Sequence, residues 1–343
     1  MVREEMTSRE RVLAIFNGTP YDRIPVINPT SLATVESMRQ TKAFFPHAHT
    51  DSYAMAALAA TGHDLLGFDS VMPYFSVHLE AAALGCEIDW GKLDRMPQIL
   101  KSPLIEPSDF VMPGNFLDRK PIKALLQAIK ILRKKYGSEV AIIGKVVGPW
   151  TLAFHLHGAA NLILETNMEP HKVHQFLAVL MQTSIEFAHA QFEAGADILT
   201  WADHATSDLI SAKVYEEFLL PVHQQCNKAL QNAGPVIFHS CGPTIDRLEL
   251  FCQAGFQAFH LESRNDVRAA LQIVDGRIVI TGNINNPNIL LNGTVADVRD
   301  AVNNALEGGI RLLSPECALP CWVPNRNLLE IVNAAKAQQN KYI

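Results

Sequence analysis

Short apolar, β-branched runs alternate with longer stretches whose apolar residues recur at helical spacing, and this alternation extends along most of the chain. Runs of the first kind predict buried strands, and stretches of the second kind predict helices packed against them. We predict eight strands, over 23–27, 69–72, 140–146, 196–201, 235–239, 257–261, 277–281 and 309–313. We predict helices over 123–136, 169–194, 214–231, 244–254, 266–274, 295–306 and 327–337.

Regular alternation of strands and helices implies parallel strands joined by right-handed crossovers. Eight such strands predict an α/β protein built as a closed (β/α)8 TIM barrel. Residues 1–65 are predicted to form, in part, an N-terminal helical extension, and the Pro-punctuated residues 75–116 an insertion over one end of the barrel. A doubly wound open sheet is the alternative, but no G-x-G-x-x-G follows the early strands and the chain has no P-loop.

Neither a long flexible linker nor a repeat of solenoid length divides the chain, so residues 1–343 are interpreted as one domain. With 48% hydrophobic residues and a formal net charge of -6, the composition excludes disorder. Mild acidity without a Lys/Arg-rich tract argues against nucleic acid as a partner. Apolar stretches are too short for a membrane span or a signal peptide, so we expect a cytoplasmic protein whose six cysteines are thiols.

Polar and sulfur-containing residues follow several of the predicted strands. In a TIM barrel the active site is built at the carboxyl ends of the strands, so these positions are candidate site residues. The fourth predicted strand leads to Asp203, the fifth to His239 and Cys241, the sixth to Glu262 and the eighth to Cys317. His239 and Cys241 are two residues apart on extended chain and therefore lie on the same side.

A single His or Cys at a strand end is more often a packing residue than a ligand, but four suitable groups on three strand ends predict a metal site. Two thiolates, an imidazole and the Glu262 carboxylate suit tetrahedral Zn²⁺. Thiolate-rich zinc is suited to binding an incoming thiol and presenting it as a nucleophile. Cys321, four residues after Cys317, is an alternative ligand.

The remaining cysteines and a histidine pair are predicted to have no part in this site. Cys86, Cys226 and Cys252 are interpreted as small packing residues. His155 and His157 follow Gly148 and Pro149, which predicts an exposed loop that enters a helix.

Several motifs together resemble one known family. They include Phe45–Thr50, Gly85–Ile88, Glu193–Asp197, His239–Gly242 and Pro315–Cys317. With them the sequence resembles, over nearly its whole length, the methylcobamide:coenzyme M methyltransferases of the uroporphyrinogen decarboxylase superfamily of (β/α)8 barrels.

The resemblance implies an activity and a set of site residues. Family members move a methyl group from a methylated corrinoid, carried on a separate protein, to the thiol of coenzyme M. Their zinc ligands correspond to His239, Cys241, Glu262 and Cys317. Glu262 is then expected to be the ligand that the thiolate displaces, and Asp203 to face the site and assist substrate binding.

The resemblance also bears on the cofactors. Zn²⁺ and a methylcobamide substrate are implied, and the chain lacks the D-x-H-x-x-G segment typical of corrinoid carriers, so a corrinoid protein is expected to dock at the barrel mouth. Asn283 is expected to contact the cofactor, and Arg39, Lys145 and Asn283 are available to hold a small sulfonate. Family members read Pro-Gly-Cys-Gly around the last cysteine, whereas this chain has Glu316 before Cys317 and Ala318 after it.

Other functions are compatible with the same residues. Tetrahydrofolate could replace coenzyme M as the acceptor, with zinc acting on a pterin nitrogen. Zinc could instead serve the demethylation of a small ether or amine directly onto corrinoid. A binding module or chaperone for a corrinoid protein, with a closed structural zinc, is the reading without catalysis.

Overall fold

A central parallel sheet dominates the structure, a computed structural model that describes residues 5–103 and 105–338. Seven strands pair in the order β1-β4-β5-β6-β7-β8-β9, and β2 and β3 form a separate antiparallel hairpin. The strands are β1 (Ser70–Val71), β2 (Glu87–Asp89), β3 (Gln98–Lys101), β4 (Ala141–Val147), β5 (Ile198–Ala202), β6 (Val236–His239), β7 (Ala258–Leu261), β8 (Val279–Ile284) and β9 (Leu312–Pro315).

Residues 25–27 close the sheet into a ring. Val26 pairs in parallel with Leu313, and the Ile27 N–H donates to the Leu313 carbonyl at 2.9 Å. On the other side, the Asp69 N–H donates to the Val26 carbonyl at 2.7 Å, just before β1 begins. The segment thus occupies the position of the eighth strand, and the predicted (β/α)8 barrel is confirmed.

Helices fill the connections between the strands. They are α1 (Ser8–Asn17), α2 (Val35–Thr41), α3 (Ser52–Asp64), α4 (Leu79–Ala83), α5 (Lys120–Tyr136), α6 (Pro149–His157), α7 (Ala159–Met168), α8 (Pro170–Ala194), α9 (Ala212–Val214), α10 (Leu220–Leu230), α11 (Leu248–Ala254), α12 (Val267–Val274), α13 (Val295–Gly308) and α14 (Asn325–Ala337). Short 3-10 turns cover His47–His49, Pro107–Asp109, Phe116–Asp118 and Ile245–Arg247, and π-turns cover Tyr215–Leu219 and Asn286–Leu291.

Local sequence explains where these elements begin and end. All seven residues of β4 are buried, because helices cover one face of a barrel strand and the barrel interior covers the other. The helix α13 begins with a capping box between Thr294 and Asp297. The helix α8 ends at Gly195, whose φ of 115° lies in the left-handed region that favours glycine. The predicted helix over 214–231 corresponds to α9, a π-turn and α10 in succession.

A buried charge cluster joins the N-terminal extension to the barrel. Asp69 is 0% exposed and accepts hydrogen bonds from the Arg11 Nη1 and the Arg23 Nη2, both at 2.8 Å. It also accepts from the Val26 N–H at 2.9 Å. One carboxylate therefore ties α1, the closing segment and the start of β1 together.

No helix in the described ranges combines the length and the apolar character that a membrane crossing requires. The predicted insertion over 75–116 contains α4, the β2–β3 hairpin and the 3-10 turn Pro107–Asp109.

Replacing Asp69 with alanine should lower the free energy of unfolding by about 3–5 kcal/mol, because two buried guanidinium groups would lose a shared partner. Denaturant unfolding of the purified variant measures this effect. Asp118→Ala is the control: its ion pair with Lys123 is exposed and should contribute no more than about 1 kcal/mol. Equal losses in the two variants would contradict the role given to Asp69.

Candidate metal centre

Three of the four predicted metal ligands meet at the mouth of the barrel. The His239 Nε2 lies 3.2 Å from the Cys241 Sγ and 3.6 Å from the Cys317 Sγ. His239 is the last residue of β6, Cys241 follows two residues later, and Cys317 lies two residues beyond the end of β9. Their ligand atoms all lie within 4.8 Å of one another, which makes them the one group of three or more such residues that could hold a metal within the described chain.

The sulfur atoms of Cys241 and Cys317 contact each other as a disulfide pair, and the two Cα atoms are 6.8 Å apart. The sequence predicts thiols at both positions, and metal binding requires the pair in that reduced form. Cys86, Cys226, Cys252 and Cys321 are free. Burial raises the pKa of the Cys86 and Cys321 thiols to about 11, as befits packing residues, and Cys321 is outside the metal group.

His239 is held as a neutral imidazole. It is 6% exposed, and burial, reinforced by His260 and Lys145, lowers its pKa well below the usual value. The His260 ring lies against it at a centroid distance of 4.7 Å, and the His260 Nε2 is 2.7 Å from the Pro315 carbonyl oxygen. A neutral imidazole has the free lone pair that a metal ligand needs.

Hydrogen bonds fix the loop that carries Cys317. The Glu316 carboxylate accepts from the main-chain N–H groups of Ser263, at 3.0 Å, and Asn286, at 2.8 Å. The Asn286 side-chain amide in turn donates to the carbonyls of Cys317 and Ala318 at 3.1 and 3.0 Å. Glu316 therefore links this loop to the ends of β7 and β8.

Glu262, the predicted fourth ligand, is not part of the three-residue group. It lies just after β7 and is buried, and its Oε2 accepts from the Arg264 Nε at 2.9 Å. Arg264 also donates to Asp208 at 3.0 Å. The structure thus places Glu262 next to the site but pairs it with an arginine.

Asp203 lies on the wall of the mouth, and neighbouring groups occupy both of its oxygens. Its Oδ1 accepts from the Thr151 N–H in the first turn of α6 at 2.7 Å, and its Oδ2 is 3.0 Å from the His223 Nε2. The His223 Nδ1 is 3.0 Å from the Tyr215 hydroxyl. Since the carboxylate is 2% exposed, these contacts assign it a structural task in holding α6 against β5.

Two adjoining cavities open at the mouth. The smaller, about 90 Å³, is lined by the three candidate ligands together with Asp203, His204 and Lys145. The larger, about 230 Å³, is lined by Tyr74, Ser76, His78, Met96 and, again, Lys145. Lys145 lies within β4 and is 4% exposed; burial lowers its pKa to about 8, and the nearby Glu80 opposes that fall.

The other predicted contact residues lie elsewhere. Asn283 lines a separate cleft, of about 610 Å³, with residues of α12 and α13, and Arg39 is exposed on α2. The expectation that His155 and His157 are exposed is wrong. Both belong to α6 and are buried, because α7 and α8 pack against that helix.

Two residues beside the cavities carried no sequence signal. Tyr74 and Glu80 fall in or next to the segment without periodicity, yet the Tyr74 hydroxyl donates to the Glu80 Oε2 at 2.5 Å. Lys145 carried one signal: it is a lysine within an otherwise apolar strand.

Asp203→Ala should lower the free energy of unfolding by about 1–3 kcal/mol, since it leaves the Thr151 N–H and the His223 Nε2 buried without a partner. Asp203→Asn should cost much less, because an amide can accept from Thr151 and donate to the other tautomer of His223. Denaturant unfolding separates the two. Asp208→Ala, which removes an exposed partner of Arg264 in the same loop, is the control. An Asp203→Ala variant with the free energy of unfolding of the wild type would contradict the structural role of Asp203.

Comparison with known proteins identifies the family. The uroporphyrinogen decarboxylase (URO-D) family model matches residues 7–338. The methylcobamide:CoM methyltransferase MtbA of Methanosarcina acetivorans is 34% identical over 97% of this chain and 98% of its own length. A methylated-thiol–coenzyme M methyltransferase of Methanosarcina mazei is 33% identical over 97% of this chain and 90% of its own.

A solved structure gives the same answer for the fold. A methyltransferase from Methanosarcina mazei superposes with a TM-score of 0.93 at 31% identity, over 97% of this chain and 99% of that one. The chain therefore belongs to the uroporphyrinogen decarboxylase family, in its branch of methylcobamide:CoM methyltransferases.

Proposed function

We propose that this protein is a zinc-dependent methyltransferase that moves a methyl group from a methylated corrinoid, carried on a partner protein, to the thiol of coenzyme M. The observation that carries the proposal is the group formed by His239, Cys241 and Cys317 at the mouth of a barrel. Its location matches the place where TIM barrels bind substrates.

Zinc fits the donor set. One imidazole nitrogen and two sulfurs are ligand types that Zn²⁺ prefers, and three protein ligands leave a fourth position for substrate, as in catalytic sites. Burial keeps His239 neutral, and the hydrogen bonds of Glu316 and Asn286 hold the chain on both sides of Cys317. We propose Glu262 as the ligand that fills the fourth position without substrate, after it leaves Arg264.

Bound zinc would supply one chemical effect, which is to lower the pKa of the acceptor thiol so that it reacts as a thiolate. The protein's own residues then orient the acceptor. His239, Cys241 and Cys317 fix the place where the sulfur must lie, and the walls of the two cavities exclude water around it. Methyl transfer forms a sulfur–carbon bond, breaks the cobalt–carbon bond and leaves its electron pair on cobalt.

Cavity size favours a small acceptor. Drug-sized ligands such as a folate usually occupy sites of about 300–1,000 Å³. The cavities next to the candidate ligands measure about 90 and 230 Å³, which suits a molecule of a few atoms. Both relatives named above carry coenzyme M in their names as well, although the second name refers to a methylated thiol.

The corrinoid is proposed to arrive on a partner protein. None of the thirteen histidines has an aspartate two residues before it, so the chain lacks the D-x-H segment that corrinoid carriers use. The partner must then present its methyl group to the mouth, where the cavities open.

Reduced protein should bind one zinc ion for each chain, and Cys317→Ala and Cys241→Ala should lose both metal and methyl transfer because each removes a thiolate ligand. Metal analysis after dialysis gives the stoichiometry. Cys321→Ala is the matched control, a buried cysteine four residues from Cys317 that should keep its zinc.

Full metal content and full turnover in Cys317→Ala would contradict this site. Glu262→Gln tests the proposed fourth ligand. We expect weaker zinc binding or slower turnover, but not the complete loss of both that is expected for the cysteine variants.

Demethylation of methylcobalamin, followed by its absorbance, tests the acceptor. Zinc-loaded protein should react with coenzyme M and stop when zinc is removed. Turnover with tetrahydrofolate alone would retain corrinoid chemistry but overturn the thiol mechanism. No turnover with either acceptor, in protein that holds its zinc, would favour the demethylating or non-catalytic readings.

A further inference from the structure

The sulfur atoms of Cys241 and Cys317 serve two states that exclude each other. Both belong to the group that could hold a metal, and the same two atoms are paired with each other as a disulfide. Metal binding requires thiolates, because a sulfur bonded to another sulfur has no negative charge to give a metal ion. The site therefore holds either a metal or a disulfide, but never both.

The surroundings of this pair differ from those of a structural disulfide. The His239 Nε2 lies 3.2 Å from the Cys241 Sγ and 3.6 Å from the Cys317 Sγ, so a candidate metal ligand faces both sulfurs. Both cysteines are half-buried and line the small cavity at the mouth, where an oxidant or a reductant of a few atoms can reach them. Accessible disulfides are the ones that are reduced and formed again, whereas structural disulfides resist reduction.

The barrel does not have to rearrange between the two states. The loop of Cys317 is held by hydrogen bonds of Glu316 and Asn286, and these bonds involve neither sulfur. With the sulfurs paired, the barrel is closed and the three candidate ligands already lie together. Breaking the sulfur–sulfur bond would therefore leave both thiols in place to bind a metal.

The other cysteines are poorly suited to compete for an oxidant. In the described ranges the free cysteines are Cys86, Cys226, Cys252 and Cys321. Burial raises the pKa of each of these thiols, which keeps them protonated near neutral pH. Oxidants react with the thiolate form, so a mild oxidant should react first with the two thiolates of the metal site.

We propose that Cys241 and Cys317 form a reversible redox switch, in which oxidation to the disulfide releases zinc and reduction restores the metal site. The inference rests on the proposed function and adds a regulation of the same site. Without zinc the acceptor thiol would no longer be activated, so the oxidised protein is the inactive state.

The oxidant is a peroxide, and the step balances in two stages. One thiolate attacks a peroxide oxygen, breaks the oxygen–oxygen bond and becomes a sulfenic acid, while hydroxide leaves. The second thiolate attacks that sulfur, forms the sulfur–sulfur bond and expels a second hydroxide. The two sulfurs together lose two electrons, which reduce the peroxide. A small dithiol reverses the change by thiol–disulfide exchange and is itself oxidised to a disulfide.

Titration of full-length, reduced, zinc-loaded protein with hydrogen peroxide tests the switch. A chromogenic chelator measures the released zinc, and thiol counting in denaturant measures the cysteines that remain reduced. Each chain should lose one zinc ion together with two of its six thiols. Mass spectrometry of peptides should find Cys241 linked to Cys317, and dithiothreitol followed by zinc should restore thiols and metal. Thiol loss that leaves the zinc bound, or zinc loss that dithiothreitol does not reverse, would overturn the proposal.

The variant Cys252→Ala is the matched control. Cys252 is half-buried, like the proposed pair, but it is a free cysteine. The variant should release its zinc at the same peroxide concentration as the wild-type protein. A variant that keeps its zinc under these conditions would show that Cys252 takes part in the oxidation and would contradict the assignment to Cys241 and Cys317.

Turnover of methylcobalamin in the same samples separates the switch from the proposed function. Protein that loses and regains zinc as described, but methylates neither coenzyme M nor tetrahydrofolate, would refute the function and leave the switch standing. Protein that transfers methyl groups with zinc, but is oxidised irreversibly to a sulfinic acid at Cys241 or Cys317, would refute the switch alone.

Discussion

Closure of the sheet by residues 25–27 is the constraint on which the candidate site depends. His239 ends β6 and Cys317 follows β9, and in sheet order β7 and β8 lie between them. In a flat sheet β6 and β9 would be three strand spacings apart, about 14 Å, because neighbouring strands are about 4.8 Å apart. The pairing of Val26 with both Leu313 and the chain before β1 forces the sheet to curl. Curling is what brings the His239 Nε2 to 3.6 Å from the Cys317 Sγ.

Buried carboxylates at both ends of the barrel act on the main chain. Asp69 accepts from the N–H of Val26 at the amino ends of the strands. Asp203 accepts from Thr151 and Glu316 from Asn286 at the carboxyl ends. Hydrogen bonds offset the cost of burying each of these carboxylates, and the same bonds fix a loop or the start of a helix.

The sequence was sufficient for the strand ends and for the three candidate ligands that meet near them. His239 ends a predicted strand, Cys241 and Cys317 lie in the loops just after predicted strands, and their meeting needs only the barrel topology. It was not sufficient for Glu262, because the spacing cannot say whether a carboxylate turns toward a metal or toward Arg264. The burial of His157 likewise depends on tertiary packing, because its ring lies 4.6 Å from that of Phe176 in α8.

Charge balance supports the proposed exchange of Glu262 for an acceptor thiolate. A Zn²⁺ ion with two thiolates and a neutral imidazole carries no net charge, and an added acceptor thiolate makes the site negative in a medium of low polarity. A carboxylate retained beside that thiolate would add a second negative charge, which burial strongly disfavours. The Arg264 Nε donates to the Glu262 Oε2 at 2.9 Å, so the carboxylate has a partner of opposite charge when it is not a ligand. In the proposed exchange, the pair of Arg264 and Glu262 is therefore the state that the carboxylate adopts once the acceptor thiolate takes its place.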